Sequence, residues 1–403
     1  MKKSEDKNTV IINATNIGYK YHGLGVYSLN LIKELSKLKT SIQFIVYVNK
    51  TAKLAIDQIT FPNNFSIKWA SEKISPDNKF KGHLLRLIYS NWISFKHRNA
   101  LQFNTSQLEI NFFRKNQIVT IHDVIPVLFR HLHKKQYHYY KMLLGFGLRK
   151  AKYVLTPSYH SKEMLQKIYK INSEQIKVIH NGADNSSKNI EIPQLKKDNY
   201  MIYVGRICEM KNIRGILKAF EMIAEKFSHD LLFIGDDKKK LQQEIEGAKL
   251  SPKTSERILF KENVSEEEKT KLLSKASIFL FPSFYEGFGL PPIEAMACGC
   301  PVVVSNNSSL PEICGDAAIY INPNNFEEIA EAITKVLSDK SLMNEMIFNS
   351  IDHARLFKWR FSAEEHLNVF TEVINFERMP ETNLAPKFLS IIPSEVRKMV
   401  SNI

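Results

Sequence analysis

Short apolar runs alternate with helical patterns along most of the chain. Runs of strand length, such as "TVIIN", "SIQFIVYV" and "SIFLF", are followed by stretches in which apolar residues recur every three to four positions, as in "GLGVYSLNLIKELSKL". This alternation predicts an α/β protein with a parallel sheet covered by helices on both faces. The longest apolar runs are far shorter than the roughly 18 residues that a membrane-spanning helix requires.

One polar stretch without periodicity, "NSSKNIEIPQLKKD", interrupts the alternation. We therefore predict a first Rossmann-like domain over 1–184, a linker over 185–199, a second Rossmann-like domain over 200–364, and a C-terminal helix and tail over 365–403. In open parallel sheets, ligands bind outside the carboxyl ends of the strands. The predicted site lies in a cleft between the two domains.

The net charge of +14 comes from the first half of the 403-residue chain. Residues 1–200 hold 32 Lys and Arg against 13 Asp and Glu, whereas residues 201–403 hold 24 against 29. A basic half is typical of a solvated surface, of a face for an anionic membrane or an anionic acceptor, or of a nucleic-acid-binding surface. Charge alone leaves these alternatives open.

The first residues of the chain and its cysteines indicate the cellular compartment of the protein. "MKKSEDKNTVIIN" mixes lysines with acidic residues before a brief apolar run, so the pattern of a signal peptide is missing. The four cysteines lie in the second half and lack the spacing of a zinc site, which fits reduced thiols. We expect a cytoplasmic protein.

The stretch "FYEGFGLPPIEAMACG" places two glutamates around a glycine-rich bend. Glu286 lies in the loop after the strand "SIFLFPS", and Glu294 in an early turn of the following helix. Gly287 and Gly289 allow the backbone to approach an anion at the helix N-terminus. The loop is therefore predicted to hold a diphosphate, with the glutamates bonding hydroxyl groups on either side. The alternative is a pair of ordinary loop and helix-surface carboxylates.

Two further loops follow predicted strands. In "YVGRICEMKNI", Arg206 and Lys211 offer the positive charge that a departing diphosphate needs, unless they are merely structural or solvated. In "GYKYHGLGVY", Gly23 and Gly25 form another close-approach loop, or only a turn. This loop lacks the third glycine of a dinucleotide fingerprint, so NAD binding is not predicted.

Together these motifs resemble the signature of family 4 of the retaining glycosyltransferases. "PSFYEGFGLPPIEAMACG" carries the family's E-x7-E pair, and "YVGRICEMKNI", "VIHNGAD", "AKYVLTPSYHSKEML" and "VTIHDVIP" are similar to its other landmarks, in the family's order. The resemblance covers nearly the whole chain. It implies the GT-B fold, in which two Rossmann-like doubly wound domains face a central cleft and the C-terminal helix returns to the first domain.

The resemblance also implies roles for residues of the second domain. It assigns the donor diphosphate to Arg206 and Lys211, the ribose to Glu294 and the transferred sugar to Glu286. The amides around Phe288 and Gly289 are expected to assist.

From the first domain, the resemblance places His122 beside the donor sugar and the acceptor, and Gly23 and Gly25 beside the diphosphate and the acceptor. Val26 stands where many relatives carry arginine. A hydrogen-bonded core histidine is the alternative for His122. The residues expected to take part in catalysis are Glu286, His122, Arg206 and Lys211.

The function implied is retaining transfer of a hexose from a UDP- or GDP-sugar to a glycan or polyprenyl-linked acceptor in cell-surface polysaccharide biosynthesis. No Asp-x-Asp triplet occurs, so no divalent metal and no other cofactor is expected to be required. Two alternatives are a GT-B-like sugar-nucleotide epimerase and a basic nucleic-acid-binding protein. The second lacks a recognisable recognition helix or RNA motif, so no nucleic-acid partner is expected.

The segment 79–98, "KFKGHLLRLIYSNWISFKHR", mixes basic and apolar residues at helical spacing. It resembles a helix that lies in a membrane interface, and an amphipathic helix facing the core explains the pattern equally well. The first interpretation places the protein peripherally on the inner face of the cell membrane, through its basic first domain.

Overall fold

The computed structural model describes residues 8–19, 23–183 and 196–378, and these form two parallel sheets. The first sheet has the order β3-β2-β1-β4-β5-β6-β7. Its strands are β1 (Thr9–Asn13), β2 (Gln43–Asn49), β3 (Phe65–Ala70), β4 (Leu101–Asn104), β5 (Gln117–Thr120), β6 (Tyr153–Thr156) and β7 (Ile176–Val178).

The second sheet has the order β10-β9-β8-β11-β12-β13, again with every pairing parallel. Its strands are β8 (Tyr200–Val204), β9 (Asp230–Ile234), β10 (Ile258–Lys261), β11 (Ile278–Phe281), β12 (Val302–Ser305) and β13 (Ala318–Ile321). The strand order reverses between β1 and β4 in one sheet and between β8 and β11 in the other. Loops diverge at such switch points and leave a crevice for a ligand.

Helices cover both sheets, as the alternating pattern predicted. In the first domain they are α1 (Gly23–Leu35), α2 (Lys53–Ile56), α3 (Lys79–Lys96), α4 (Ile125–Leu128), α5 (Lys134–His138), α6 (Gly145–Lys150) and α7 (Tyr159–Tyr169), with a π-helical turn over Tyr139–Leu144. In the second they are α8 (Ile213–Ile223), α9 (Lys238–Ala248), α10 (Pro252–Ser255), α11 (Glu266–Lys275), α12 (Leu290–Ala297), α13 (Leu310–Cys314), α14 (Phe326–Ser338) and α15 (Lys340–Ala354), followed by α16 (Trp359–Arg378).

The central strands are apolar on both faces because helices cover both sides of each sheet. β11 reads "IFLF" and β12 reads "VVVS", and all their residues are buried. Such continuous runs are typical of parallel strands, whereas alternation would indicate a sheet with one solvated face. Within the described ranges, no helix combines the length and the apolar character needed to cross a bilayer.

The last helix, α16, lies against the first domain. The hydroxyl of Tyr27 in α1 lies 2.7 Å from Nε2 of His366, and Trp359 is buried at the crossing. A Cβ atom at Gly182 would lie 2.0 Å from the backbone nitrogen of Trp359, so only glycine fits there. Trp359 is the first residue of the helix, which therefore begins six residues before the predicted boundary at 365. Most of the predicted linker, and the tail after 378, lie outside the described residues.

A buried ion pair anchors α3 to the turn that follows β4. Nε of Arg86 lies 3.0 Å from Oε1 of Glu109, and the two side chains are 2% and 0% exposed. Arg86 also donates to the carbonyl oxygen of Ile74, and Ser106 donates to the Glu109 carboxylate. Burial raises the pKa of Glu109 to about 7, against the opposing effect of Arg86. The pair is therefore held by several charge-assisted bonds.

Replacing Arg86 by leucine should lower the free energy of unfolding by about 3–5 kcal/mol, because it leaves the Glu109 carboxyl buried without its partner. Arg149→Leu, at an exposed position of α6, is the matched control and should cost little. Thermal or urea unfolding of both variants measures the difference. Equal stabilities would show that the pair contributes no net stabilisation.

Candidate active site

A cavity of about 1220 Å³ lies between the two domains, at the carboxyl ends of both sets of strands. From the first domain it is lined by residues after β1, β4 and β5, among them Gly23, Gln107, His122 and Asp123. The second domain contributes the loops after β8 and β11 and the start of α12. The cavity therefore lies where both strand orders reverse, in the cleft between the two domains that the sequence predicted.

One ion pair occupies the second-domain side of the cavity. Nζ of Lys211 contacts Oε1 of Glu286, and both side chains are largely buried. Lys211 ends the turn before α8, and the carbonyl of the preceding Met210 accepts a hydrogen bond of 2.9 Å from the amide of Phe284. Two loops far apart in sequence are thus fixed together, which places a cation beside a carboxylate in a shielded site.

Arg206 lines the same cavity nearer to solvent. Its Nε lies 3.4 Å from Oδ2 of Asp236, and its side chain is 68% exposed. An exposed ion pair of this kind contributes little to stability, so the guanidinium is held loosely. It remains able to turn toward an anion entering beside Lys211.

The loop between Glu286 and α12 is fixed by two serines. Ser308 Oγ accepts a bond of 3.0 Å from the Glu286 amide, and Ser309 Oγ donates to the carbonyls of Glu286 and Phe288 at 3.1 and 2.8 Å. Gly289 precedes α12 with φ of +106°, a left-handed conformation that favours glycine. Phe288 and Gly289 both line the cavity, so the N-terminus of α12 faces it.

Two of the predicted site residues are not among those that line the cavity. Glu294 lies on the second turn of α12, and its Oε2 is 3.0 Å from Nζ of Lys269 on α11. Burial raises the pKa of Glu294, and Lys269 opposes that shift. Gly25 is buried within α1, where a Cβ atom would meet only the Cα of Ile17, at 3.8 Å. The roles assigned to both stay predictions without support from the cavity.

His122 lies after β5, which ends at Thr120, and its imidazole is almost fully buried. Nε2 lies 2.9 Å from the carbonyl oxygen of Thr105, so Nε2 carries the proton and Nδ1 is left as an acceptor. Burial lowers the pKa of His122 to about 4, although the bond to Thr105 opposes this. The ring is neutral at physiological pH and offers a lone pair to a hydroxyl group.

Asp123 is a cavity residue that the sequence reasoning missed. It lines the cavity beside His122, and its Oδ1 accepts a hydrogen bond of 2.9 Å from the amide of Ile125. Burial raises the pKa of Asp123 to about 6, and the nearby Glu286 carboxylate raises it as well. The signal was available, because an acidic residue directly follows His122 at a strand end in "IHD".

Polar contacts join the two domains beside the cavity. The carbonyl of Gly287 accepts from the hydroxyls of Ser158 and Ser161 at 2.7 and 3.0 Å. The Glu312 carboxylate accepts from the first amides of α7, those of Tyr159 and His160, at 2.8 and 3.1 Å. Ser158 also caps α7 by accepting a hydrogen bond from the Ser161 amide. These contacts hold the second-domain loop against the first domain.

The fold and the cavity define a two-domain enzyme of the GT-B class, in which the second domain supplies Lys211, Arg206 and Glu286 and the first supplies His122 and Asp123. Residues 21–187 match the family model "Glycosyltransferase Family 4", and residues 185–353 match "Glycosyl transferases group 1". The chain belongs to family 4 of the glycosyltransferases. The predicted family and enzyme class are confirmed.

Relatives with assigned names agree with this membership. The chain is 29% identical over 347 residues to the O-antigen chain mannosyltransferase RfbU of Salmonella typhimurium, covering 81% of this chain and 93% of the relative. Sucrose-phosphate synthase from Thermosynechococcus elongatus has the same fold, with a TM-score of 0.73 at 19% identity over 91% of this chain and 99% of that one.

A second solved structure is HepE from Anabaena in complex with UDP-glucose, with a TM-score of 0.67 and 16% identity. The structural match covers 99% of the HepE chain and 90% of this chain. At these identities the two solved structures show the fold alone, and the GT-B fold predicted from the sequence is confirmed.

Proposed function

We propose that this glycosyltransferase moves a hexose, with retention of configuration, from a GDP- or UDP-sugar to a glycan or polyprenyl-linked acceptor in cell-surface polysaccharide biosynthesis. The observation that carries the proposal is the Lys211–Glu286 pair, which faces His122 and Asp123 across one cavity. The name of the relative RfbU supports a mannose donor and a polysaccharide acceptor. The HepE complex supports a sugar nucleotide.

In this proposal the donor binds to the second domain. Its diphosphate meets Lys211, Arg206 and the amides at the start of α12, which together stabilise the negative charge that grows as the sugar leaves. The transferred sugar lies against Glu286. His122, neutral and with Nδ1 free of the proton, accepts a hydrogen bond from a sugar hydroxyl on the first-domain side.

The proposed reaction is a same-face displacement. The bond from the anomeric carbon to the phosphate oxygen breaks, the acceptor oxygen bonds to that carbon on the same face, and the departing phosphate takes the proton of the acceptor hydroxyl. Glu286 is not assigned as a nucleophile, because its carboxylate is engaged by Lys211. NMR of the product anomer tests this route, and an inverted anomer would rule it out.

A screen of sugar nucleotides tests the activity itself. GDP-mannose and UDP-glucose are incubated with the enzyme, with and without glycan or polyprenyl-linked acceptors, and release of the nucleoside diphosphate is measured. The proposal expects release that depends on an acceptor. A rearranged sugar formed from the donor alone would indicate an epimerase.

Removing divalent metal should leave the transfer rate unchanged within about twofold, because Lys211 and Arg206 supply the charge that a metal supplies elsewhere. No group of metal-ligating side chains occurs among the described residues. The measurement compares rates in EDTA and in added Mn²⁺ or Mg²⁺. Loss of activity in EDTA that manganese restores would contradict the proposal.

We also propose that α3 attaches the enzyme to the anionic inner face of the cell membrane. Ile88 and Phe95 are 60% and 72% exposed, although Ile93 on the opposite face is fully buried. Basic groups flank the exposed face, with Lys96 4.9 Å from the Trp92 ring centroid. Apolar side chains beside lysines on a surface helix are typical of interfacial binding.

Ile88→Glu should reduce binding to vesicles that contain phosphatidylglycerol by about tenfold, since it places a charge in the apolar face. The matched control is Leu356→Glu, at an exposed leucine of the second domain, which should bind like the wild type. Co-sedimentation at low and high salt measures both. Equal binding to neutral and anionic vesicles would contradict the proposal that the basic groups of α3 attach the enzyme to an anionic membrane.

A further inference from the structure

Asp123 of the first domain lies across the cavity from the Lys211–Glu286 pair of the second domain. The loop that carries Glu286 touches Asp123, because a Cβ atom at Gly287 would lie 2.9 Å from the Cβ of Asp123. Asp123 therefore faces the proposed diphosphate site across the boundary between the domains.

This cluster contains two carboxylates and one ammonium group. Lys211 is paired with Glu286, whereas Asp123 accepts a backbone amide through Oδ1. Burial raises the pKa of Asp123 to about 6, the Ile125 amide lowers it, Glu286 raises it and Lys211 lowers it. Before any ligand binds, Asp123 therefore already has a pKa near neutral pH and is partly protonated there.

The histidine that precedes Asp123 and three tyrosines near it keep one charge state near neutral pH. Burial lowers the pKa of His122 to about 4, so this ring is neutral. Burial also raises the pKa of Tyr140, Tyr169 and Tyr285 above the usual value, so these hydroxyls stay protonated. A proton bound by this cluster between pH 6 and 8 therefore goes to a carboxylate.

A sugar nucleotide brings two phosphate charges into this space. When Lys211 and Arg206 engage them, as in the proposed function on which this inference rests, Asp123 and Glu286 lose part of their counter-charge. Negative charges that lie close together in a shielded site repel one another, and this repulsion favours protonation of one of the two carboxylates. We propose that Asp123 is a further substrate-binding residue, which takes up a proton from solvent as the donor binds and then donates a hydrogen bond to the substrate.

The affinity for the donor should fall as the pH rises. Donor binding raises the pKa of Asp123 above its ligand-free value of about 6. Affinity for the donor is therefore highest below pH 6, where Asp123 already holds the proton. It falls as the pH rises, by at most about tenfold per pH unit, and levels off above the pKa of the bound state.

Isothermal titration calorimetry with GDP-mannose and UDP-glucose counts the protons. Titrations at about pH 7 in phosphate and in Tris, whose heats of ionisation differ, should show uptake of about 0.5–1 proton per donor bound. In an intact sugar nucleotide each phosphate has only a strongly acidic proton, so the ligand does not titrate near neutral pH. The counted protons belong to the enzyme.

Asp123→Asn keeps the acceptor for the Ile125 amide and removes the carboxylate. It should abolish the uptake and flatten the affinity between pH 6 and 8. Asp236→Asn, at the cavity rim beside Arg206, should keep the uptake of the wild type. Donor binding by the wild type without proton uptake, or uptake by Asp123→Asn equal to that of the wild type, would overturn the assignment. If neither sugar nucleotide binds, the proposed function fails, and this inference with it.

Discussion

Replacing Lys211 by methionine should lower the rate of sugar transfer by about 10²–10³-fold, because it removes the shielded cation from the site where diphosphate charge develops. Lys211 is largely buried and contacts Glu286, so no neighbouring group can take its place without rearrangement. Arg206 is exposed and should contribute less. Steady-state kinetics with the donor found in the screen measure the loss.

The matched control is Lys226→Met, which removes an exposed lysine of the same domain at a position that does not line the cavity. It should transfer sugar like the wild type. Thermal unfolding of Lys211→Met separates a catalytic loss from misfolding. A Lys211→Met enzyme that folds and works within tenfold of the wild type would show that another group carries the diphosphate charge.

Replacing Gly287 by alanine should lower turnover by about 10²-fold, because it forces apart the two domain surfaces that border the cleft and so misplaces the reacting groups. The added Cβ would lie 2.2 Å from the carbonyl oxygen of His122, a distance that real Cβ atoms essentially never show. Both partners of this clash are backbone segments, one from each domain. The second-domain loop must move away from the first domain, and the bonds from Ser158 and Ser161 to the Gly287 carbonyl lengthen with it.

The expected signature is a fall in kcat with donor affinity within a few-fold of the wild type, because Arg206 and Lys211 both lie on the second domain. Gly247→Ala is the control. Gly247 lies on α9 and does not line the cavity, and its added Cβ would meet only the far end of the flexible Arg214 side chain, so activity should persist and stability should rise slightly, as for alanine in a helix. A Gly287→Ala enzyme with normal turnover would show that the domains need not approach this closely.

Local patterns predicted the elements correctly because their causes are local. The continuous apolar runs of β11 and β12 indicated parallel strands, and the polar break near 185–199 separated the two sheets. Asn212 caps α8 in the same local way, because its side chain accepts a hydrogen bond from the amide of Gly215. The start of α16 was predicted six residues too late, and its first residue, Trp359, packs against Gly182, which is distant in sequence.

The site was predicted in part. Arg206, Lys211, Glu286 and His122 line one cavity, as their positions after strand ends indicated. Gly287 was predicted to approach a ligand, and in the structure its close neighbour is the backbone of the other domain.

The order of residues along the chain was enough to predict the two parallel-sheet domains, the family, and the charged loops at the strand ends, since strand ends and turns depend on neighbouring residues. Which charged side chains lie together became evident from the folded chain. The pairing of Glu294 with Lys269, the placement of Asp123 across the cavity from Glu286, and the contact of α7 with Glu312 join residues far apart along the chain. Such contacts depend on how helices pack within a domain and how the two domains pack together, and no local pattern records that packing.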